Sequence, residues 1–341
     1  MKFYQCLPQY FDKNIQKTYA IIDFMEYNNT PQKLVQYVRS GLVEQEHYGF
    51  MALADKKGVI QKWGEDGDYP FYPRSCAKPL QAALIIDYGL DELCGMSLEE
   101  IALCCSSHAG EEVHINIAKN LLKKIGLRQE NLKCGFHKPL SAAEQKKLIL
   151  SDGSENIFQN NCVGKHIMML ALCRLNGWDL DGYCEPEHPL QIAVRDKISG
   201  LCNLEHRYPL TKDGCGVPIM SMPLHKMLNG YLNLFLNPKY EKIKNAFLDY
   251  PYIIGGENRL DTKIMEASGL IAKVGAGGLC IVVNLAAEEA LIVKISDADA
   301  KARETAVVHA LKTLRWADIE ISREIKTLLG EVIGEIKACG L

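Results

Sequence analysis

The sequence predicts an α/β chain of the α+β kind, with one antiparallel sheet built from both chain ends and a helical lobe between them. Three observations lead there. Residues 50–64, "FMALADKKGVIQKWG", read as two short strands around Lys57-Gly58. Residues 269–296, "GLIAKVGAGGLCIVVNLAAEEALIVKIS", read as strand, Gly-rich turn, strand, short turn, strand. In the stretch between, apolar residues recur mostly at helical spacing. The simplest packing joins the strands in one layer with a terminal helix on its face. A cleft then falls between sheet and lobe, where sites commonly lie.

The elements follow in order. Residues 1–33 are aromatic and polar without a clear period, so they are set apart as an N-terminal appendage to a two-lobed domain over 34–341. Residues 65–74 form a loop by their Gly, Pro and Asp content. After Ser75, the residues Leu80, Ala83, Leu84 and Tyr88 repeat at helical spacing, and Gly89 stops the pattern. Ser97 and Glu100 have capping-box spacing and open the next helix. "EEVHINIAKNLLKKIG" is an amphipathic helix closed by Gly126. Further helices are expected at 165–176, 188–201, 223–236 and 238–249. After the Gly-rich strands, "DADAKARETAVVHALKTLRW" is a capped helix, and a last helix is expected to end the chain.

Composition narrows the function. The chain has 341 residues, 48% hydrophobic and 24% charged, as a globular protein has. A net charge of -3 and a pI near 6.3 argue against a nucleic-acid partner. The sequence has no apolar run of eighteen residues, so no membrane span is expected. The first residues lack the apolar core of a secretory signal. The 13 cysteines sit in apolar runs, so they read as reduced, mostly buried thiols, and the cytoplasm is the expected compartment.

Several polar clusters could carry chemistry. Ser75 and Lys78, at i and i+3, share a helix face. They are either a nucleophile and its base, or a helix cap and a solvated lysine. For the first, burial or a second cation must bring the lysine down to roughly 7–8. Ser107-His108 in "CCSSHAGEEVH" stands at a helix-to-helix corner, as an active serine or a capped turn. "QNNCVGKHIMML" gathers Asn160, Asn161, Cys162, Lys165 and His166 before an apolar helix, and "TKDGCGVP" adds Asp213 and Cys215 in a Gly-rich loop. Cys-x-x-Lys is not a usual zinc spacing, because a lysine ligand must first lose its proton. Lys273, at a strand end before Gly275, Gly277 and Gly278, either faces an anionic group or guards a sheet edge.

Taken together, "LVQYVRSGLVEQEHYG", "YPRSCAKPLQA", "SSHAGEEVH", "NNCVGKH", "DGCGVP", "GGENRLDT" and "AKVGAG" resemble, in that order, the asparaginase II family, the class 3 L-asparaginases of the Rhizobium etli type. The resemblance spans about residues 34–335. It implies a fold similar to serine β-lactamases and penicillin-binding proteins, and an amidohydrolase that releases aspartate and ammonia from L-asparagine. It pairs Ser75 with Lys78 and Ser107 with Lys273 as catalytic groups, with either serine as nucleophile. His108, Arg74, Asn161, Gly275 and Ala276 become candidate substrate contacts. A zinc ion is implied at Cys162, Lys165 and Cys215, with Asp213 close by, and a homodimer is in keeping with the family. Gly277 stands where the family pattern has Glu, and Val163 where it has Ser. The other readings are a glutaminase or another Ser-x-x-Lys acyl-transfer enzyme, and a zinc- or ligand-binding homologue without activity. A β-lactamase is disfavoured because neither Ser-Asp-Asn nor Lys-Thr-Gly occurs.

Overall fold

Long β-branched and aromatic runs at both ends of the chain meet in one sheet. The computed structural model describes residues 29–151, 153–206 and 208–340. Near the start lie strands β1 (Gln32–Arg39), β2 (Leu42–Asp55) and β3 (Gly58–Trp63). Near the end lie β6 (Ile271–Gly275), β7 (Leu279–Asn284), β8 (Glu289–Ile295), β9 (Glu324–Lys326) and β10 (Val332–Ala338). Between them, β4 (Leu210–Lys212) and β5 (Pro218–Met220) make a separate ribbon. The main sheet is antiparallel, in the order β6-β7-β8-β2-β1-β10-β9, with β3 also on β2. The pairing of β2 with β8, Gly49 opposite Ile295 to Ala54 opposite Ala290, joins the two chain ends.

The helices are α1 (Lys78–Asp87), α2 (Leu90–Leu93), α3 (Leu98–Cys105) and α4 (Glu112–Lys124). Then come α5 (Ala142–Leu150), α6 (Val163–Asn176), α7 (Pro189–Leu201) and α8 (Leu224–Phe235). The last are α9 (Glu241–Asp249), α10 (Pro251–Ile254), α11 (Leu260–Ser268) and α12 (Ala300–Thr313). Their starts follow local chemistry. Ser97 and Glu100 close the expected capping box, and Asp299 caps α12 by accepting from Ala302 N–H at 2.7 Å. The helices α8 and α12 lie against the sheet, and the residues of β7 and β8 are buried without alternation, as in strands covered on both faces. Among the described residues no helix is long and apolar enough to cross a membrane.

Two expectations need correction. The chain does not end in a helix: residues 324–338 form the hairpin β9–β10. Gly330, at φ +90°, makes its turn, and a side chain at Gly334 would meet Val38 O of β1 at 2.2 Å. Nor does the N-terminal sheet begin at residue 50, since β1 and the first half of β2 precede it. Their half-exposed, charged faces hide the period. The first 28 residues of the expected appendage lie outside the described residues, while Gln32 and Lys33 already belong to β1.

Candidate active site

Pro73 leads into a 3₁₀ turn, Arg74–Ala77, which runs straight into α1. Ala77 occupies the cap position of α1, so Ser75 is no helix cap. Ser75 is half-buried. Lys78 is not the solvated lysine that spacing alone allowed. It is 1% exposed. Its Nζ donates to Ser106 O at 2.6 Å, Asn161 O at 2.8 Å and Ser107 Oγ at 3.1 Å.

Lys273 reaches the same hydroxyl from the sheet. It lies in β6 and is fully buried. Its Nζ donates to Ser107 Oγ at 3.0 Å and to Val274 O at 2.9 Å. The two lysines therefore flank one serine, and Lys273 bonds the serine that the resemblance assigns to it. Lys78 differs: its bonded serine is Ser107 and not Ser75. Burial is the main cause that brings Lys78 down to about 8, with Lys165 and Lys273 adding to it and the Cys162 and Cys215 thiols opposing.

Two glycines make this convergence possible. A side chain on Gly164 would meet Leu103 O at 2.1 Å, so glycine lets the start of α6 press on the end of α3. One on Gly275 would meet Cys76 Sγ at 2.9 Å and Pro73 O at 3.1 Å, so β6 docks on the Ser75 turn. Ser107 itself leaves α3 in an extended segment, held by its N–H on Ile254 O at 2.9 Å.

A thiol pocket adjoins the lysines. Cys162, Lys165 and Cys215 are all buried. The Cys162 thiol hydrogen-bonds Cys215, which is chiefly what holds Cys215 down at about 5, with Lys165 assisting. The same bond, with burial, pushes Cys162 up to about 12. Burial alone would lower Lys165, but Cys162, Cys215 and Asp213 together raise it. Asp213 lies 3.9 Å from Lys165 Nζ and accepts from Arg74 Nε at 2.7 Å, which ties the pocket to the Ser75 turn. The described cysteines are free thiols and mostly buried, as expected.

The remaining candidates are placed as follows. His108 is buried, accepts from Gly110 N–H at 3.1 Å through Nδ1 and stacks on His114 at 5.0 Å. Burial holds His108 well below the usual imidazole range, so it is neutral at pH 7. Asn161 contributes its carbonyl to Lys78. Ala276 is exposed beyond β6. His166 Nδ1 and the Tyr183 hydroxyl share a hydrogen bond at 2.7 Å, and that hydroxyl accepts from Lys133 N–H at 2.9 Å. A separate group, Asp66, Asp68 and His225, draws together outside these motifs, with Asp66 already paired to Lys62 at 2.9 Å.

Asp261 escaped the sequence reading. It stands 3.5 Å from Lys273 Nζ, and both side chains are fully buried. Its one signal was its place in "GGENRLDT", a stretch with no apparent chemistry. Glu111 and Tyr252 also frame the His108–His114 stack without having been singled out.

A family model described as L-asparaginase II matches residues 35–337. A search of curated proteins found no match. Among solved structures, a β-lactamase from Mycobacterium bovis is similar over 79% of this chain and 95% of that chain, at 13% identity and a TM-score of 0.42.

Proposed function

The chain belongs to the L-asparaginase II family, and on that premise we propose that it hydrolyses the side-chain amide of L-asparagine to aspartate and ammonia. The observation that carries the reading is the pair of buried lysines on Ser107 Oγ, one of them the first residue of α1, directly after the turn that holds Ser75. In this reading Ser75, half-buried at that turn, is the nucleophile. Its oxygen bonds to the amide carbon while its proton passes to neutral Lys78. Backbone N–H groups around Ser75 and Gly275 stabilise the oxyanion. The C–N bond then breaks, and the departing nitrogen takes a proton through Ser107 and Lys273 to leave as ammonia. Water, deprotonated by the same groups, attacks the acyl-enzyme and frees aspartate and Ser75.

Cys162, Lys165 and Cys215 have donor chemistry that suits a zinc ion: two buried thiols hydrogen-bond each other, and the Lys165 ammonium, once deprotonated, would add a nitrogen donor beside them. Such an ion would supply a fixed positive charge beside the substrate. Binding it would release protons from Cys162 and Lys165. We expect about one zinc per chain by metal analysis, and its loss in Cys215→Ser.

Ammonia release from asparagine tests the reading, with glutamine and a chromogenic β-lactam assayed alongside. Ser75→Ala is expected to lower kcat by more than about a thousandfold. Turnover by Ser75→Ala at the parent rate removes Ser75 from the mechanism. Preference for glutamine or the β-lactam replaces the substrate.

A further inference from the structure

We propose that Asp261 is a positioning residue: its carboxylate fixes Lys273 as the ammonium of the site and leaves Lys78 as the lysine on Ser107 that is free to act as a base. The catalytic meaning of this rests on the asparaginase reading, while the charge assignment does not.

The geometry is specific. Asp261 is the second residue of α11. Its Oδ2 accepts from Val274 N–H at 3.2 Å and faces Lys273 Nζ at 3.5 Å. Its Oδ1 has no partner and points where a side chain on Gly255 would come within 2.7 Å, so glycine leaves it room. Among the described residues, Asp261 is the one carboxylate within ion-pair distance of Lys273, and Lys78 has none. Other groups face the pair from each packed element. Lys78 approaches from α1, and Cys76, Cys105 and Cys280 from the 3₁₀ turn, α3 and β7. Arg259 and Arg303 add positive potential around Asp261. Burial pushes the Cys76 and Cys105 thiols up to about 12, so they are neutral at pH 7. Asp261 is thus the anion of this region.

A buried ammonium beside a carboxylate keeps its proton, and one without a counter-ion tends to lose it. The difference serves the reaction. Two ammonium groups would offer Ser75 no base, and two amines would offer the departing nitrogen no acid. Asp261 keeps Lys273 as the acid, while Lys78, with no carboxylate beside it, becomes the base as pH approaches 8.

Thermal unfolding of the full-length protein and of Asp261→Asn between pH 7 and 10 tests this. An unfolded lysine holds its proton up to about 10.4. Without Asp261, Lys273 would shed its proton on folding, so the variant is penalised most at low pH and recovers as pH rises. The gap in Tm between parent and variant is expected to shrink by about half or more across this range. A gap that stays constant overturns the proposal and leaves Asp261 a packing residue. Should Asp261→Asn not fold, Lys273→Met and the double variant Lys273→Met/Asp261→Asn decide. A double variant that melts above Lys273→Met supports the pairing, and one that melts below it overturns it. These measurements use no substrate, so an inactive parent protein would end the asparaginase reading without touching them. With asparagine, the descending basic limb of kcat/KM should move down by at least one pH unit in Asp261→Asn. An unmoved limb also counts against the proposal.

Discussion

Lys78 gives up the hydration of its ammonium for two carbonyls and a hydroxyl. With burial holding it at about 8, the base form is scarce at neutral pH. Activity should therefore climb about tenfold per pH unit below 8 and level off above it, as kcat/KM measured from pH 5.5 to 9.5 will tell. The sign of the stability effect follows from the same shift. The folded chain releases the proton near 8 and the unfolded chain near 10.4, so stability rises with pH between those values. Lys78→Met should flatten that part of the Tm profile. How legible these residues were depended on distance along the chain. Ser75, Lys78, Ser107 and Lys273 were singled out through their motifs, yet spacing alone favoured a solvated role for Lys78. What decides its state is contact with Ser106, Asn161 and Ser107, which are remote in sequence. Asp261 was missed for the same reason, as a carboxylate twelve residues from its lysine has no local signature.

Among the elements, α6 shows how one backbone contact sets a site. Its start carries Cys162 and Lys165, and Gly164 lets it rest on the last turn of α3 just before Ser107. Gly164→Ala should force the two apart, costing about 3 kcal/mol of stability by chemical denaturation, together with zinc affinity. The helices were read well because their periods and caps are local: Ser97, Glu100 and Asp299 each signal a start within four residues. The hairpin β9–β10 was misread because "EIKTLLGEVIGEIKA" has helix-forming residues at many positions. Gly330 and Gly334 outweigh them, the first by its left-handed φ and the second by its contact with β1. Local propensity yields to the pairing of Val35 with Ala338 through Arg39 with Gly334.

At the scale of the whole molecule, β10 is the cover for one side of β1. Removing residues 324–341 would bare the backbone donors and acceptors of β1, so the shortened protein should aggregate in size-exclusion chromatography at concentrations where the full chain does not. That the sheet draws on both ends was legible from the strands at 50–64 and 269–296. Which strand neighbours which was not, because β2–β8 pairing spans some 240 residues and leaves no periodic trace. That span has a consequence for synthesis. On the ribosome, at about 5–20 residues per second, Ser75, Lys78, Ser107 and the thiol pocket all emerge well before Lys273. Until β6 is made, Ser107 has one of its two lysines, and β2 has no β8 to pair with. The nascent chain is a helical lobe with an open edge, and its chemistry is withheld until β6, β7 and β8 are made and close the sheet.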